Sequence, residues 1–338
     1  MRALVTGATG LLGSHIAERL RADGWAVRAL VRDPAAAGAI GAELGLELRR
    51  GDVLDADAFA AAARDCDVVF HAAAAITPRG GWEAFRATNV DGTRAAVRAA
   101  AAAGARLLQV SSVAVYGAEG RYERGAGGTD EDAPLAPLPD DEWYARSKRE
   151  SEEVALVAHR RGEVWATAIR PDVIYGRRDR QFVPRVGRVA RRGVVPLPGG
   201  GRATFAVVHA ANVADAAVLA ATHDAAGGRA YNVANDVDVT VADFFRLAGE
   251  GLGRRVRVIP IPLPLAHLGV AVAQVALRAV GARGLAQMAG SSVRFTTEDN
   301  PFNSDRAKRE LGWSPRVHPR DGVPDAFRWW ARHGAGAA

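Results

Sequence analysis

The run Thr6-Gly-Ala-Thr-Gly-Leu-Leu-Gly13 constrains this chain more than any other feature. An apolar strand pattern, Ala3-Leu4-Val5, leads into it, and an amphipathic stretch, His15-Ile-Ala-Glu-Arg-Leu20, follows. Strand, glycine turn and helix make the first half of a βαβ unit. Gly7, Gly10 and Gly13 lack a Cβ, which permits a tight turn, lets a pyrophosphate approach the backbone, and lets the helix pack closely on the strand. Free N–H groups at the helix start, around Thr9, Leu11 and Leu12, can then meet phosphates. The spacing is Gly-x-x-Gly-x-x-Gly, which differs from the general Gly-x-Gly-x-x-Gly fingerprint. The turn predicts a dinucleotide site.

Strand patterns alternate with helical ones along the first half, as in a parallel, doubly wound α/β sheet. Strands are expected at Trp25–Val31, Leu46–Arg50, Asp67–His71, Arg106–Ser112 and Trp165–Ile169. Between them, 56–64 and 83–103 read as helices, the second a single long one. The segment 117–141 reads as a long loop dense in Gly, Pro, Asp and Glu, a length usually associated with function or disorder. Later, Thr204–Val208 and Arg229–Val233 read as strands, and 212–221, 242–253, 264–280 and 305–311 as helices. Segments 1–171 and 204–234 are expected to form a Rossmann dinucleotide-binding domain. Segments 172–203 and 235–330 are expected to form a smaller mixed α/β substrate lobe.

A chain of 338 residues can bury a large core. The net charge of +6 raises the question of an anionic partner. The basic residues read as dispersed and interleaved with acids, so the charge is taken as compositional and no nucleic-acid partner is expected. Cys66 is the single cysteine, which excludes an internal disulfide and suits a reducing compartment. Met1-Arg2 leads straight into the first strand, so a cytoplasmic location is expected. Prolines and polar residues interrupt the apolar run Ile259–Ala279, making it a poor membrane span.

A second motif, Tyr144-Ala-Arg-Ser-Lys148, lies where a helix should begin near Asp141. Residues four apart share a helix face, so phenol and ammonium can enter one cleft. A phenol is a weak base at neutral pH, and a neighbouring ammonium together with an oxidised nicotinamide is expected to favour its ionised form. Ser112 ends a buried strand, where side chains meet the crevice of an open parallel sheet, and its hydroxyl can stabilise charge on a substrate oxygen. Ser111 is expected to satisfy a strand-end carbonyl instead. On the second strand, Val31 occupies the position where an NAD enzyme usually carries a carboxylate, and Arg32 follows. A guanidinium there can fork onto a 2′-phosphate, which favours NADP(H). Asp33 could still serve a ribose, so NAD(H) remains open.

These motifs resemble those of extended short-chain dehydrogenases/reductases along nearly the whole chain. The resemblance includes Gly7/Gly10/Gly13, Gly51-Asp52-Val53, His71-Ala-Ala-Ala74, Asn89-Val-Asp-Gly-Thr93, Ser111-Ser112-Val-Ala-Val-Tyr-Gly117, Tyr144/Lys148, Arg170-Pro171-Asp-Val-Ile-Tyr-Gly176 and Asp305–Pro315. It implies that Ser112, Tyr144 and Lys148 are catalytic and that Lys148 also holds the cofactor ribose. It implies further that Asp52 and Val53 touch adenine, that Ala72, Ala73 and Ala74 line the cofactor, and that Pro171 to Ile174, Val173 included, flank the carboxamide. A homodimer pairing helices near 86–103 and 144–161 is implied too.

Two subgroups compete. Nucleotide-sugar epimerases usually carry an arginine that pairs with the substrate pyrophosphate, and here Phe205 and Ala206 occupy that region, with Arg202 and Arg294 as possible substitutes. The other subgroup resembles bacterial 3β-hydroxysteroid dehydrogenases and dihydroflavonol-4-reductases. It shares the Val27-Arg-Ala-Leu-Val-Arg-Asp-Pro34 strand and the proline-led segment from Ile259. There, Leu263, Leu265, Leu268, Val270, Val272, Val275 and Leu277 are read either as walls of an apolar pocket or as lobe core or subunit interface. The expectation is interconversion of a secondary alcohol and a ketone on an apolar ring substrate, a small molecule. The alternatives are a nucleotide-sugar 4-epimerase and a non-catalytic dinucleotide sensor.

Overall fold

A computed structural model describes residues 1–76, 80–117, 128–235, 237–279 and 293–334. The chain divides into two compact units. The first comprises Met1–Ile174, Ala210–Ala234 and Phe302–Arg316, the second Tyr175–His209, Asn235–Pro301 and Val317–Ala338.

The first unit is built on a seven-stranded sheet ordered β10-β6-β5-β4-β1-β2-β3. Its strands are β1 (Arg2–Thr6), β2 (Ala26–Val31), β3 (Glu47–Arg50), β4 (Val68–His71), β5 (Arg106–Val110), β6 (Ala166–Pro171) and β10 (Ala230–Val233). Every pairing is parallel. From β1 the chain winds outward through β2 and β3, then returns to β4 on the other side of β1. This reversal opens a crevice at the carboxyl ends of β1 and β4, where ligands bind in open α/β sheets. The expected Rossmann α/β class is therefore observed.

Helices α1 (Leu11–Ala22) and α8 (Ala210–Thr222) pack on each other; α3 (Ala56–Ala63), α5 (Gly92–Ala103) and α6 (Trp143–Arg160) form another packed group. Alanine makes the second group possible. Ala96, Ala100 and Ala155 are fully buried against Leu4, Val69 and Leu107, so short side chains let helix and sheet approach closely. Helix α2 (Pro34–Leu44) was not foreseen. Asp33 starts it by accepting from Ala35 and Ala36 N–H, with Pro34 in the first turn.

The expected single helix over 83–103 is interrupted. It divides into α4 (Gly81–Phe85), a π-helical segment Arg86–Asp91, and α5. Such wide turns frequently occur at functional sites. Phe302–Arg316, expected in the lobe, belongs to the first unit. Helix α11 (Asp305–Leu311) is tied there by Trp313 Nε1–H to Asn212 O, Arg316 N–H to Asn212 Oδ1 and Ala234 N–H to Ser304 Oγ.

The second unit contains a parallel pair, β8 (Val194–Pro198) with β11 (Arg257–Ile261), and helices α7 (Phe182–Ala190), α9 (Val241–Gly251), α10 (Leu263–Ala279) and α12 (Pro319–His333). Its core is aromatic, with Tyr175, Phe205, Phe244, Phe327 and Trp330 buried together. Two expectations change here. Strand β9 covers Val207–His209, and Thr204 makes only an isolated bridge to Thr240. Leu265 and Val275 of α10 are not lobe core, being 60% and 68% exposed, and the side chain of Leu277 lies outside the described residues. The basic charge also has an address. The second unit holds 18 arginines against 9 acids, so the first is net acidic. The charge is segregated rather than dispersed.

Candidate active site

The three glycines each meet a distinct requirement. Gly7 has φ +70°, a left-handed conformation, and a Cβ there would lie 2.9 Å from Ala73 N. A Cβ on Gly13 would overlap the Gly7 carbonyl, so helix α1 reaches the turn only because that atom is missing. Gly10 N–H donates to Gly7 O at 2.9 Å and closes the turn. Gly10 also stands at the N-cap of α1 without any side-chain cap, leaving the first-turn donors of Leu11, Leu12 and Gly13 for an external acceptor. Backbone crowded by glycine beside uncapped donors fits a dinucleotide pyrophosphate.

The turn is fastened to the end of β4. Thr6 Oγ1 accepts from Ala73 N–H at 3.1 Å and pairs with His71 Nδ1 at 2.9 Å. His71 is buried, and burial together with the nearby Lys148 ammonium pushes its pKa down to about 3. It is therefore neutral. Ala72, Ala73 and Ala74 are half-buried at the crevice. Asn89, in the π-helical segment, then pins this strip to α6. Its Oδ1 accepts from Ala75 N–H at 2.7 Å; its Nδ2 donates to Ala75 O at 3.0 Å and to Ser147 Oγ at 2.9 Å. The motif containing Asn89 was noted in the sequence, but its linking role was missed. The available signal was an amide-bearing residue in an otherwise alanine-rich helix.

Ser112, Tyr144 and Lys148 are brought together. Ser112 caps the short 3₁₀ turn Val113–Tyr116, accepting from Ala114 N–H at 3.2 Å. Its hydroxyl also lies near enough to the Tyr144 phenol to favour the ionised form. Phe85 meets the Tyr144 ring edge-on, 6.3 Å between centroids. Burial pushes the phenol's pKa up, and the nearby Ser112 hydroxyl offsets part of that rise. Lys148 is buried and donates to Val110 O at 2.8 Å. Burial lowers its pKa to about 8, and the Glu152 carboxylate opposes the fall. Among the groups present, burial is the larger influence on the Tyr144 phenol and acts in the opposite direction to the expected pull of the ammonium. Ser111 also departs from expectation, since its buried hydroxyl has no hydrogen-bond partner among the described residues.

Beneath these groups lies a buried network that sequence reasoning did not anticipate. Arg170 forks onto Glu152 at 2.9 and 2.6 Å and donates to Tyr116 Oη at 2.8 Å. Tyr116 closes the turn that Ser112 opens, and Glu152 lies one turn beyond Lys148. One guanidinium therefore ties the element bearing Ser112 to the helix bearing Tyr144 and Lys148.

The remaining predicted positions of the first unit follow the carboxyl ends of β2, β3 and β6. Asp52 accepts from Leu54 N–H at 2.9 Å in a turn, and Val53 is half-buried. Arg32 is exposed at the end of β2 and makes no ion pair among the described residues, while Asp33 is committed to capping α2. Pro171 ends β6, and Val173 is 37% exposed. In the second unit, Phe205 is 4% exposed and packs 5.1 Å from Phe244 and 4.7 Å from Phe295 between ring centroids. Arg202 is exposed, and Arg294 pairs with Glu298.

Residues 3–234 match the model of the NAD dependent epimerase/dehydratase family. The chain belongs to that family. It is an extended short-chain dehydrogenase/reductase, an NAD(P)-dependent enzyme acting on CH–OH groups. A 4-hydroxy-2-methyl-3-oxo-4-farnesyl-3,4-dihydroquinoline-1-oxide ketoreductase from Stigmatella aurantiaca is 32% identical over all of this chain and 98% of its own. A ceramide reductase from Caulobacter vibrioides is 30% identical over 96% of this chain and 89% of its own. Among solved structures, MoeE5 in complex with UDP-glucose and NAD is similar with a TM-score of 0.72 and 25% identity, over 99% of this chain and all of that one.

Proposed function

We propose that the enzyme is an NADP(H)-preferring reductase or dehydrogenase that interconverts a ketone and a secondary alcohol on an apolar, ring-bearing small molecule. The observation that carries this reading is the approach of the Ser112 hydroxyl to the Tyr144 phenol, one helical turn from buried Lys148, which donates to Val110 O at the end of β5. A nicotinamide dinucleotide, when bound, would supply or take up the hydride at the substrate carbon. Tyr144 Oη transfers its proton to the carbonyl oxygen as the alcohol forms, and withdraws it in the reverse direction. Ser112 donates a hydrogen bond to the same oxygen as negative charge develops there. Lys148, held by Val110 O, supplies a fixed positive charge and a donor toward ribose hydroxyls. Asn89 and Arg170 act at one remove, by holding the elements that carry these groups.

NADP(H) is preferred because Arg32 is available at the end of β2 while Asp33 is occupied. An apolar substrate is supported by the farnesylated quinoline and ceramide named for two relatives. In this reading the first unit binds the dinucleotide and the second supplies substrate contacts. The epimerase alternative is disfavoured by Phe205, whose ring is committed to an aromatic core and cannot pair with a pyrophosphate. Two copies pairing through α5 and α6 complete the proposal. The test is to titrate purified protein with NADPH and NADH, then screen prenylated, steroidal and flavanonol ketones beside UDP-sugars. Reduction of an apolar ketone with NADPH is expected; turnover of UDP-sugars alone would replace the proposal with epimerisation.

A further inference from the structure

The apolar helix α10 carries an uncovered stripe. Leu265, Leu268, Val272 and Val275 follow one another at spacings of three and four, and each is at least 60% exposed. Ala266, Val270, Ala273 and Gln274, on the other side, are half-buried. This is the inverse of a surface helix, which turns its apolar stripe inward. Strand β11, which precedes α10 in the chain, adds Ile259, 44% exposed, beside the proline-bearing strand β8. An exposed apolar stripe of this kind marks an interaction site.

The charge along this stretch of the chain is one-sided. Between Glu250 and Glu298 the sequence contains no acidic residue and six arginines. Arg254, Arg255 and Arg257 are exposed at the start of β11. Because β8 and β11 are parallel, Arg191 and Arg192 at the start of β8 join them, with Arg254 donating to Arg191 O at 2.8 Å. The neighbouring strands and α10 bring no carboxylate into this cluster; Glu250 at the end of α9 is the nearest in sequence.

We propose that this face docks on an anionic membrane surface, the α10 stripe entering the headgroup–acyl boundary while the arginines pair with lipid phosphates. Interfacial helices bind by this combination of apolar area and electrostatic attraction, without spanning the bilayer. No helix among the described residues is long and apolar enough to cross one. A nucleic acid would use the arginines but leave the leucines without a role, and a second copy would set like charges against each other. The proposal stands independently of the substrate assigned above.

The full chain should co-sediment with vesicles of equimolar phosphatidylcholine and phosphatidylglycerol, and much less with phosphatidylcholine alone. Raising ionic strength from about 0.1 M to about 1 M should weaken binding, as the screening length falls from about 10 to about 3 Å. Combined Arg254→Gln, Arg255→Gln and Arg257→Gln should lower the partition coefficient about a hundredfold. Leu268→Gln with Val272→Gln should lower it at least about tenfold. Both sets should leave NADPH titration unchanged. As a readout that does not depend on losing function, Leu268→Cys carrying an environment-sensitive fluorophore should blue-shift on anionic vesicles, since buried Cys66 does not compete for label. Three outcomes overturn the proposal: no vesicle binding; binding that needs the arginines but not the leucines; or a wild-type dimer that the leucine variants turn into monomers.

Discussion

Replacing Glu152 by Gln tests whether the buried network controls the chemistry as well as the fold. Glu152 lies one turn from Lys148, so the charges stand on the order of 8 Å apart, and at an effective dielectric near 20 they interact by about 2 kcal/mol. Arg170 keeps its charge in both proteins and leaves this difference intact, so the shift is taken as at least about one pKa unit, or about 1.4 kcal/mol. Lys148 titrates at about 8, so the variant should titrate near about 7. Activity requires the ammonium, present below the pKa and lost above it. The alkaline limb of the rate profile should therefore move about one unit toward acid, with roughly a fivefold loss at pH 8 and little loss at pH 6. The unpaired Arg170 should also cost about 3–5 kcal/mol of stability, read by thermal melting. Joint replacement, Glu152→Leu with Arg170→Met, should recover much of that stability, because no buried charge is left alone. A variant that melts earlier but keeps its alkaline limb would refute the electrostatic role and leave Glu152 purely structural.

Tyr144→Phe should lower turnover about 10²–10⁴-fold with cofactor affinity nearly unchanged; wild-type rates would remove Tyr144 as the proton donor. Gly13→Ala forces a methyl group onto the Gly7 carbonyl, so dinucleotide binding should fall below detection by fluorescence titration even where the chain still folds. Asn89→Ala leaves the backbone groups of Ala75 unsatisfied and should destabilise the protein by about 1–3 kcal/mol while reducing kcat, measured by melting and steady-state kinetics. Arg32→Ala should weaken NADPH at least about tenfold more than NADH, and equal losses would argue against a 2′-phosphate contact. Because the folded-state pKa of Lys148 is depressed, the fold should gain stability as pH rises from about 8 toward 10.5, where the unfolded chain binds more protons.

The parallel sheet and glycine turn were legible because they rest on local rules: alternating strand and helix patterns, and glycine where a Cβ cannot fit. Tyr144 and Lys148 were legible for the same reason, since helical periodicity alone puts them on one face. The π-helical segment was not, because nothing in an alanine-rich helix signals a widened turn until Asn89 meets Ala75 and Ser147. The Arg170–Glu152–Tyr116 network was equally hidden. Its members come from β6, α6 and the turn after β5, and only sheet order makes them neighbours.

Sequence alone thus determined the fold class, the glycine turn and the residue types able to move a proton beside a nicotinamide, because each follows from spacing along one segment. Tertiary structure decided the rest. It set desolvation above the Lys148 charge as the influence on Tyr144 and committed Asp33 to a helix cap. It also gathered the basic charge into one unit and turned the α10 stripe outward. Burial and charge environment depend on segments distant in the chain, so no local pattern could have specified them.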